Sequence, residues 1–210
     1  MEKLKSSITN MALVLTGVAV ITGGILAYVN NLTSGPIAQQ KEKALADGIK
    51  AVMGGGELSV AKTDTVRQND EKGKEMTYII YQTQDSQKKD LGAAVESTTQ
   101  GFGGDLKILV GFDPEGNILG YTLLEHAETP GLGAKADQWF QKGAKGDIIG
   151  KNPKEQLVVS KDGGQVDAIT ASTITSRAFL LAVNNAYNAY KVAPVADAET
   201  GATKQVKKEE

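Results

Sequence analysis

The hydrophobic pattern changes character along the chain. From Ser6 to Gln40 there is no Lys, Arg, Asp or Glu, and Met11–Val29 inside that window is apolar all round rather than striped. A helix without a polar face belongs in a membrane or a deep core. At about 1.5 Å per residue this one roughly crosses a hydrocarbon layer. Lys3 and Lys5 precede it, and the next cations are Lys41 and Lys43. The positive-inside rule then puts residues 1–10 in the cytoplasm, an anchor over 11–29, and the rest outside. A cleaved signal peptide is the competing reading, but Tyr28-Val29-Asn30-Asn31 is a poor cleavage site.

Beyond the anchor, Pro36–Met53 reads as a second helix, with Pro in its first turn and Gly54-Gly55-Gly56 as its stop. Val60–Lys74 is polar and reads as irregular, so 30–75 forms a helical linker leading into the domain. Period-two alternation then predicts a strand at Met76–Thr83, and Leu91–Ser97 is a second strand candidate. Leu106–Phe112 and Ile118–His126 flank Asp113-Pro114-Glu115-Gly116-Asn117, a hairpin with strong turn chemistry. Ala134–Gln141 reads as a short helix. Gln156–Ser160 and Gln165–Ile169 around Lys161-Asp162-Gly163-Gly164 read as another hairpin. A final helix is expected from about Thr173 to Tyr190, with Phe179, Ala182, Val183, Ala186 and Tyr190 on one face and Arg177, Asn184, Asn188 and Lys191 elsewhere. The tail, 193–210, has no apolar stripe and is expected to be disordered. The fold class is α+β: one transmembrane helix, then one extracytoplasmic domain over 76–192 with a mainly antiparallel sheet and flanking helices.

Composition narrows the chemistry. The 210 residues contain no cysteine, which excludes thiolate metal sites, disulfides and thiol catalysis. A single histidine, His126, argues against a histidine metal centre or a serine hydrolase triad. The net charge of −2 offers no basic field for nucleic acid. No metal-ligand set stands out.

Two segments carry candidate chemistry. Asp167–Ser176, DAITASTITS, places hydroxyls ahead of the last helix, where free N–H groups and the helix dipole favour a phosphate. The same residues also read as an ordinary strand-to-helix turn in which Thr173 or Thr175 caps the helix. In Glu125–Gly133, EHAETPGLG, Pro130 and Gly131 suit the second and third positions of a type II turn. Glu128 and Thr129 sit beside it. A third loop, Gly101-Phe102-Gly103-Gly104, does not fit a phosphate loop or dinucleotide fingerprint. Trp139 reads either as core or as a wall for an aromatic cofactor. His126 reads as a packing or surface residue.

Taken together, the anchor, ETPGLG and the Thr-Ala-Ser-Thr segment ahead of the final helix resemble the FMN-binding domain family. Within it the chain is most similar in organisation to the G subunits of Rnf electron transport complexes, with the C subunits of sodium-pumping NADH:quinone reductases as near relatives. The resemblance runs from the anchor to about Tyr190.

That resemblance implies FMN bound covalently by a phosphoester to the last threonine of a motif that maps to Asp167, Thr170, Ala171, Ser172 and Thr173. The acceptor is then Thr173. The family's usual Gly-Ala is Ala171-Ser172 here, which restricts the turn and makes Ser172 a rival acceptor. The same resemblance puts Glu128, Thr129, Gly131 and Leu132 near the flavin, with Leu132 on the ring and the polar groups of Glu128 and Thr129 on the ribityl chain or ring edge. It implies electron carriage between reduced ferredoxin and NAD⁺ coupled to Na⁺ or H⁺ movement, other membrane subunits as partners, and a flavin transferase that uses FAD and Mg²⁺. Three alternatives stay open: the sodium-pump C subunit, a stand-alone extracytoplasmic flavin reductase, and a membrane-anchored binding module with no redox role.

Overall fold

A computed structural model of the chain describes residues 8–69, 73 and 75–192. The expected disordered tail, 193–210, lies outside the described residues, as do residues 1–7. The chain divides into two compact units, Met1–Ala46 and Asp47–Glu210.

Helix α1 spans Ile8–Val52, and its residues up to Ala46 make up the described part of the first unit. It is long and apolar enough to cross a membrane. Every residue from 8 to 44 is exposed, including Leu15 at 73%. Its hydroxyls turn back onto its own backbone: Thr22 Oγ1 donates to the Val18 carbonyl at 2.6 Å and Thr33 Oγ1 to that of Val29 at 2.9 Å. This removes polar donors from the helix surface.

The helix does not break and restart at Pro36, as the sequence suggests; Pro36 lies inside it. An interior proline forfeits one hydrogen bond and crowds the carbonyl four residues back, at a cost of about 3 kcal/mol. Here the segment after it, rich in Ala, Gln, Lys, Glu and Leu, has strong helix propensity, which offsets that loss.

The second unit begins with the last turns of α1. Gly48, Ile49 and Val52 are buried there. The end is a Schellman cap: the Gly55 N–H bonds the Lys50 carbonyl at 2.8 Å and the Gly54 N–H bonds that of Ala51 at 3.3 Å, with Gly54 at φ +86°.

Five strands follow: β1 (Leu58–Asn69), β2 (Glu75–Asp85), β3 (Asp90–Gln100), β4 (Asp105–Phe112) and β5 (Ile118–His126). They form one antiparallel sheet in the order β1-β2-β3-β4-β5. Four of them, β2 to β5, fall on the strands read from the sequence. The fifth, β1, occupies the segment expected to be irregular. It is an edge strand whose inward positions include Asp64 and Gln68, so it carries little apolar alternation. Backbone pairing with β2 makes it a strand despite its polar sequence.

Both faces of β4 are covered. Leu106, Ile108, Val110 and Phe112 enter the main core with Phe179, Ala182, Val183 and Ala186 of the last helix, α2 (Thr173–Val192). Leu109 and Gly111 face the end of α1. A Cβ at Gly111 would collide with the Val52 carbonyl, so this approach requires glycine. The expected helix at Ala134–Gln141 is a 3₁₀ turn, Gly133–Lys135, followed by one turn of α-helix, Ala136–Trp139.

Two further readings change. The hairpin expected around Lys161–Gly164 is absent: Val159 and Val166 form an isolated parallel bridge, and Ser160–Asp162 is a 3₁₀ turn. Gly163, at φ +86°, ends that turn and lets the chain loop round and return in the same direction. Asn184, read from the sequence as lying off the apolar face of the last helix, is 8% exposed. Its amide accepts from the Leu157 N–H and donates to the Leu157 carbonyl, both at 3.0 Å. A buried amide bonded at both its oxygen and its nitrogen is compatible with a core-facing position.

Candidate functional site

The sheet's topology brings three segments to one end. The β3–β4 loop, Gly101–Gly104, lies beside the C-terminal end of β5, because Leu106 pairs with His126. The first turns of α2 reach the same end, where Thr99 Oγ1 donates to the Ala178 carbonyl at 2.9 Å. Between these segments is a cleft of about 390 Å³, within the size range of small-molecule sites.

Six of the residues that the sequence points to line it: Glu128, Thr129, Leu132, Ala171, Ser172 and Thr173. Thr170 and Gly131 do not line it but sit in the turns that shape it. The Leu132 N–H bonds the Thr129 carbonyl at 3.1 Å with Gly131 at φ +76°, which is the turn expected at Pro130-Gly131. In the second turn the Ser172 N–H bonds the Ile169 carbonyl at 3.0 Å, and Ala171 holds φ +62° at the third position. A glycine suits that conformation better, because a Cβ crowds the following carbonyl.

Phe102, Ile174 and Thr175 also line the cleft; the sequence marks Thr175 as one of the hydroxyls at the helix start and singles out neither Phe102 nor Ile174 for the site. Phe102, Leu132 and Ile174 are large apolar side chains left 68%, 42% and 53% exposed around one opening. Apolar surface left unpartnered in a concave site is a ligand signature. The signal for Phe102 is a lone aromatic inside a glycine-rich loop. Nothing in the sequence marks Ile174 beyond its place between the hydroxyl residues.

Glu128 is the structural centre of the site. It is 5% exposed and its oxygens are engaged inside the protein. Oε1 accepts from the N–H groups of Phe102 at 2.7 Å and Gly103 at 3.3 Å, and Oε2 accepts from Thr175 Oγ1 at 2.7 Å. One carboxylate therefore ties the glycine loop, the ETPGLG loop and α2 together. Such bonding is what makes a buried carboxylate tolerable. A Cβ at Gly101 would collide with Glu128 Oε1, which explains that glycine.

Thr173 is half-buried at the first residue of α2. N–H groups in the first turn of a helix lack intrahelical partners and carry the positive end of the dipole. Lys161 Nζ donates to Thr173 Oγ1 at 3.1 Å. Arg177, one turn along α2, forms two bonds of 2.7 Å to Asp162 and holds its carboxyl below the usual carboxylate range.

Three other residues stand apart from the cleft. Trp139 packs at the edge of the core, and its indole donates to the Asp167 carbonyl at 2.8 Å, so it braces the motif rather than walling the cleft. The Asp167 carboxylate accepts from Ser160 Oγ at 3.1 Å. His126 Nδ1 accepts from the Glu128 N–H at 3.3 Å. Among the described residues there is no cluster of His, Cys, Asp or Glu able to hold a metal.

An antiparallel sheet backed by a long helix, with a mixed apolar and hydroxyl-rich cleft at the helix N-terminus, defines a small-ligand-binding domain. Comparison with known proteins makes this specific. The profile described as FMN-binding domain matches residues 101–188, and that described as RnfG N-terminal region matches residues 1–52. The G subunit of the ion-translocating oxidoreductase complex of Vibrio cholerae serotype O1 (strain M66-2) is 32% identical over 187 residues, covering 86% of this chain and 89% of that one. The protein of the same name from Shewanella baltica (strain OS223) is 32% identical over 192 residues, covering 87% and 89%. That from Yersinia pestis is 35% identical over 171 residues, covering 78% and 80%. The crystal structure of Shewanella oneidensis NqrC aligns with a TM-score of 0.44 at 20% identity, over 59% of this chain and 64% of that one. The chain belongs to the family of ion-translocating oxidoreductase complex G subunits.

Proposed function

We propose that the cleft holds FMN, joined to Thr173 through a phosphoester bond, and that the chain is an electron-carrying subunit of a membrane-bound, ion-translocating ferredoxin:NAD⁺ oxidoreductase of the Rnf type. The observation that carries the reading is one juxtaposition: Thr173 at the start of α2, and the exposed apolar side chains of Phe102, Leu132 and Ile174 around the same cleft. FMN makes opposite demands at its two ends. Its phosphate needs donors and positive potential, which the helix N-terminus and Lys161 offer. Its tricyclic ring needs apolar surface, which the three side chains offer.

When bound, the flavin supplies one- and two-electron redox chemistry. The protein's residues hold and orient it. Leu132 and Phe102 would offer apolar surface to its ring and Thr129 a hydroxyl at the cleft edge, while Glu128 fixes the loops that line the cleft.

In this reading α1 anchors the chain in the cell membrane, with the N-terminus cytoplasmic and the second unit on the periplasmic, extracytoplasmic side. The relatives are subunits of ion-translocating oxidoreductase complexes by name, which supports other membrane subunits as partners. A flavin transferase would install the cofactor. Attachment suits a domain outside the cytoplasm, where lost FMN is not readily replaced.

The test is coexpression with a flavin transferase, followed by in-gel flavin fluorescence under denaturing conditions. The wild-type band is expected to fluoresce and the Thr173→Ala band to be dark, with unchanged circular dichroism. Fluorescence retained in Thr173→Ala would move the attachment elsewhere, first to Ser172.

A further inference from the structure

Lys161 has no role in the motifs that point to FMN, yet its ammonium is bonded to the hydroxyl they single out. We propose that Lys161 is the phosphate-positioning residue of this site: it orients the Thr173 hydroxyl for modification and then neutralises the phosphodiester formed there. The proposal rests on the reading of Thr173 as acceptor.

Three observations carry it. First, Lys161 Nζ lies 3.1 Å from Thr173 Oγ1, the atom that would become the bridging ester oxygen. A donor there occupies a lone pair of Oγ1 and leaves the hydroxyl proton pointing away, free to depart. Second, both neighbours of Lys161 are tied down. The Ser160 N–H bonds the Val166 carbonyl at 2.7 Å, and Asp162 makes its paired bonds to Arg177. The 3₁₀ turn Ser160–Asp162 thus holds its lysine over the start of α2. Third, Arg177 engages both oxygens of Asp162, which leaves the Lys161 ammonium for Thr173 rather than for the adjacent carboxylate. Arg177 sits on the same helix as Thr173, so the ion pair couples the lysine's turn to the acceptor's helix.

The chemistry balances with FAD as co-reactant. Thr173 Oγ1 attacks the phosphorus on the FMN side of the FAD pyrophosphate. The Oγ1–P bond forms, the P–O–P bond breaks, AMP leaves, and the hydroxyl proton is released. No redox change occurs. A neutral hydroxyl becomes a diester carrying one negative charge, and Lys161 is the cation beside it. A bond from the ammonium to an anionic phosphate oxygen, with both partners charged, is stronger than the bond to a neutral hydroxyl that it replaces.

The test uses the full-length chain with a flavin transferase, FAD and Mg²⁺, and follows the modified fraction of Thr173 by mass spectrometry over time. Lys161→Met is expected to slow modification about tenfold or more, and Lys161→Arg to stay within about threefold of wild type, since either cation can donate to a single oxygen. Arg177→Met, which frees the lysine's turn, is expected to fall between them. Thermal melting of the unmodified variants is expected to be unchanged, because Lys161 is exposed. Lys161→Met modified at the wild-type rate, with Thr173 modified in both, would overturn this proposal and leave the reading of Thr173 standing. Wild-type protein that stays unmodified at Thr173 would overturn both. A slow Lys161→Met that melts lower and is not rescued by arginine would assign Lys161 a structural role and overturn the proposal.

Discussion

Thr175 Oγ1 donates a 2.7 Å hydrogen bond to Glu128 Oε2, joining α2 to the loop after β5 in the buried floor of the cleft. These two residues, with the N–H groups of Phe102 and Gly103, form a polar network in which every named partner is satisfied. Removing the carboxylate strands three donors. Glu128→Ala is therefore expected to destabilise the domain by about 3 kcal/mol, whereas Glu128→Gln, which keeps an acceptor and the volume, costs about 1 kcal/mol. Urea unfolding of the two variants measures this. Equal losses would mean that packing, not hydrogen bonding, is what Glu128 contributes.

Ala171 at φ +62° and Gly131 at φ +76° occupy equivalent positions of two turns and invite opposite substitutions. Ala171→Gly relieves a left-handed alanine and is expected to raise stability by up to about 1 kcal/mol, net of the extra chain entropy. Gly131→Ala imposes that strain and is expected to lower stability by about 1 kcal/mol, although no atom stands in the way of the new methyl. Melting temperatures of the pair, moving in opposite directions, check the assignment.

Asn184 couples α2 to the segment before the lysine-bearing turn through two bonds to Leu157. Asn184→Ala leaves a buried N–H and carbonyl unpaired and is expected to cost about 2 to 3 kcal/mol. Denaturant unfolding gives the value. Asn184→Leu is expected to do no better, since the Leu157 groups remain unpaired.

Part of this site is legible in the sequence and part is not. The hydroxyl run before the last helix, the Pro130-Gly131 turn and the Asp113–Asn117 hairpin are local patterns, and their backbone requirements are written in consecutive residues. The strained Ala171 can be anticipated for the same reason. The Glu128–Thr175 bond spans distant parts of the chain and exists only once the β3–β4 loop and α2 meet. The spacing of Gly163-Gly164 suggests a hairpin, which makes Lys161 no more than a turn residue. The isolated parallel bridge instead turns that segment toward Thr173. Strand β1 is illegible because an edge strand is held by backbone bonds that leave no apolar signature.

Alkaline pH offers a further check on the core. Burial, helped by Asp90, Asp113 and Glu115, pushes the Tyr190 phenol from its ordinary 10.0 up to about 12. Burial also raises Tyr121, and burial with the charge of Glu96 raises Tyr81. The folded state keeps these protons where the unfolded chain releases them. Their stabilising contribution is therefore fully present below pH 10 and is lost as pH rises through about 12. Phenolate absorbance and circular dichroism, followed together, are expected to show these tyrosines ionising late and with loss of structure. Complete tyrosine ionisation near pH 10 in a fully folded protein would contradict their burial.

Peptide mass spectrometry on protein purified from its native membrane decides whether Thr173 carries FMN. A mass gain equal to FMN less one water, localised to Thr173, is expected. A Thr173 peptide found only in its unmodified form would contradict it and leave a membrane-anchored binding domain without attached flavin.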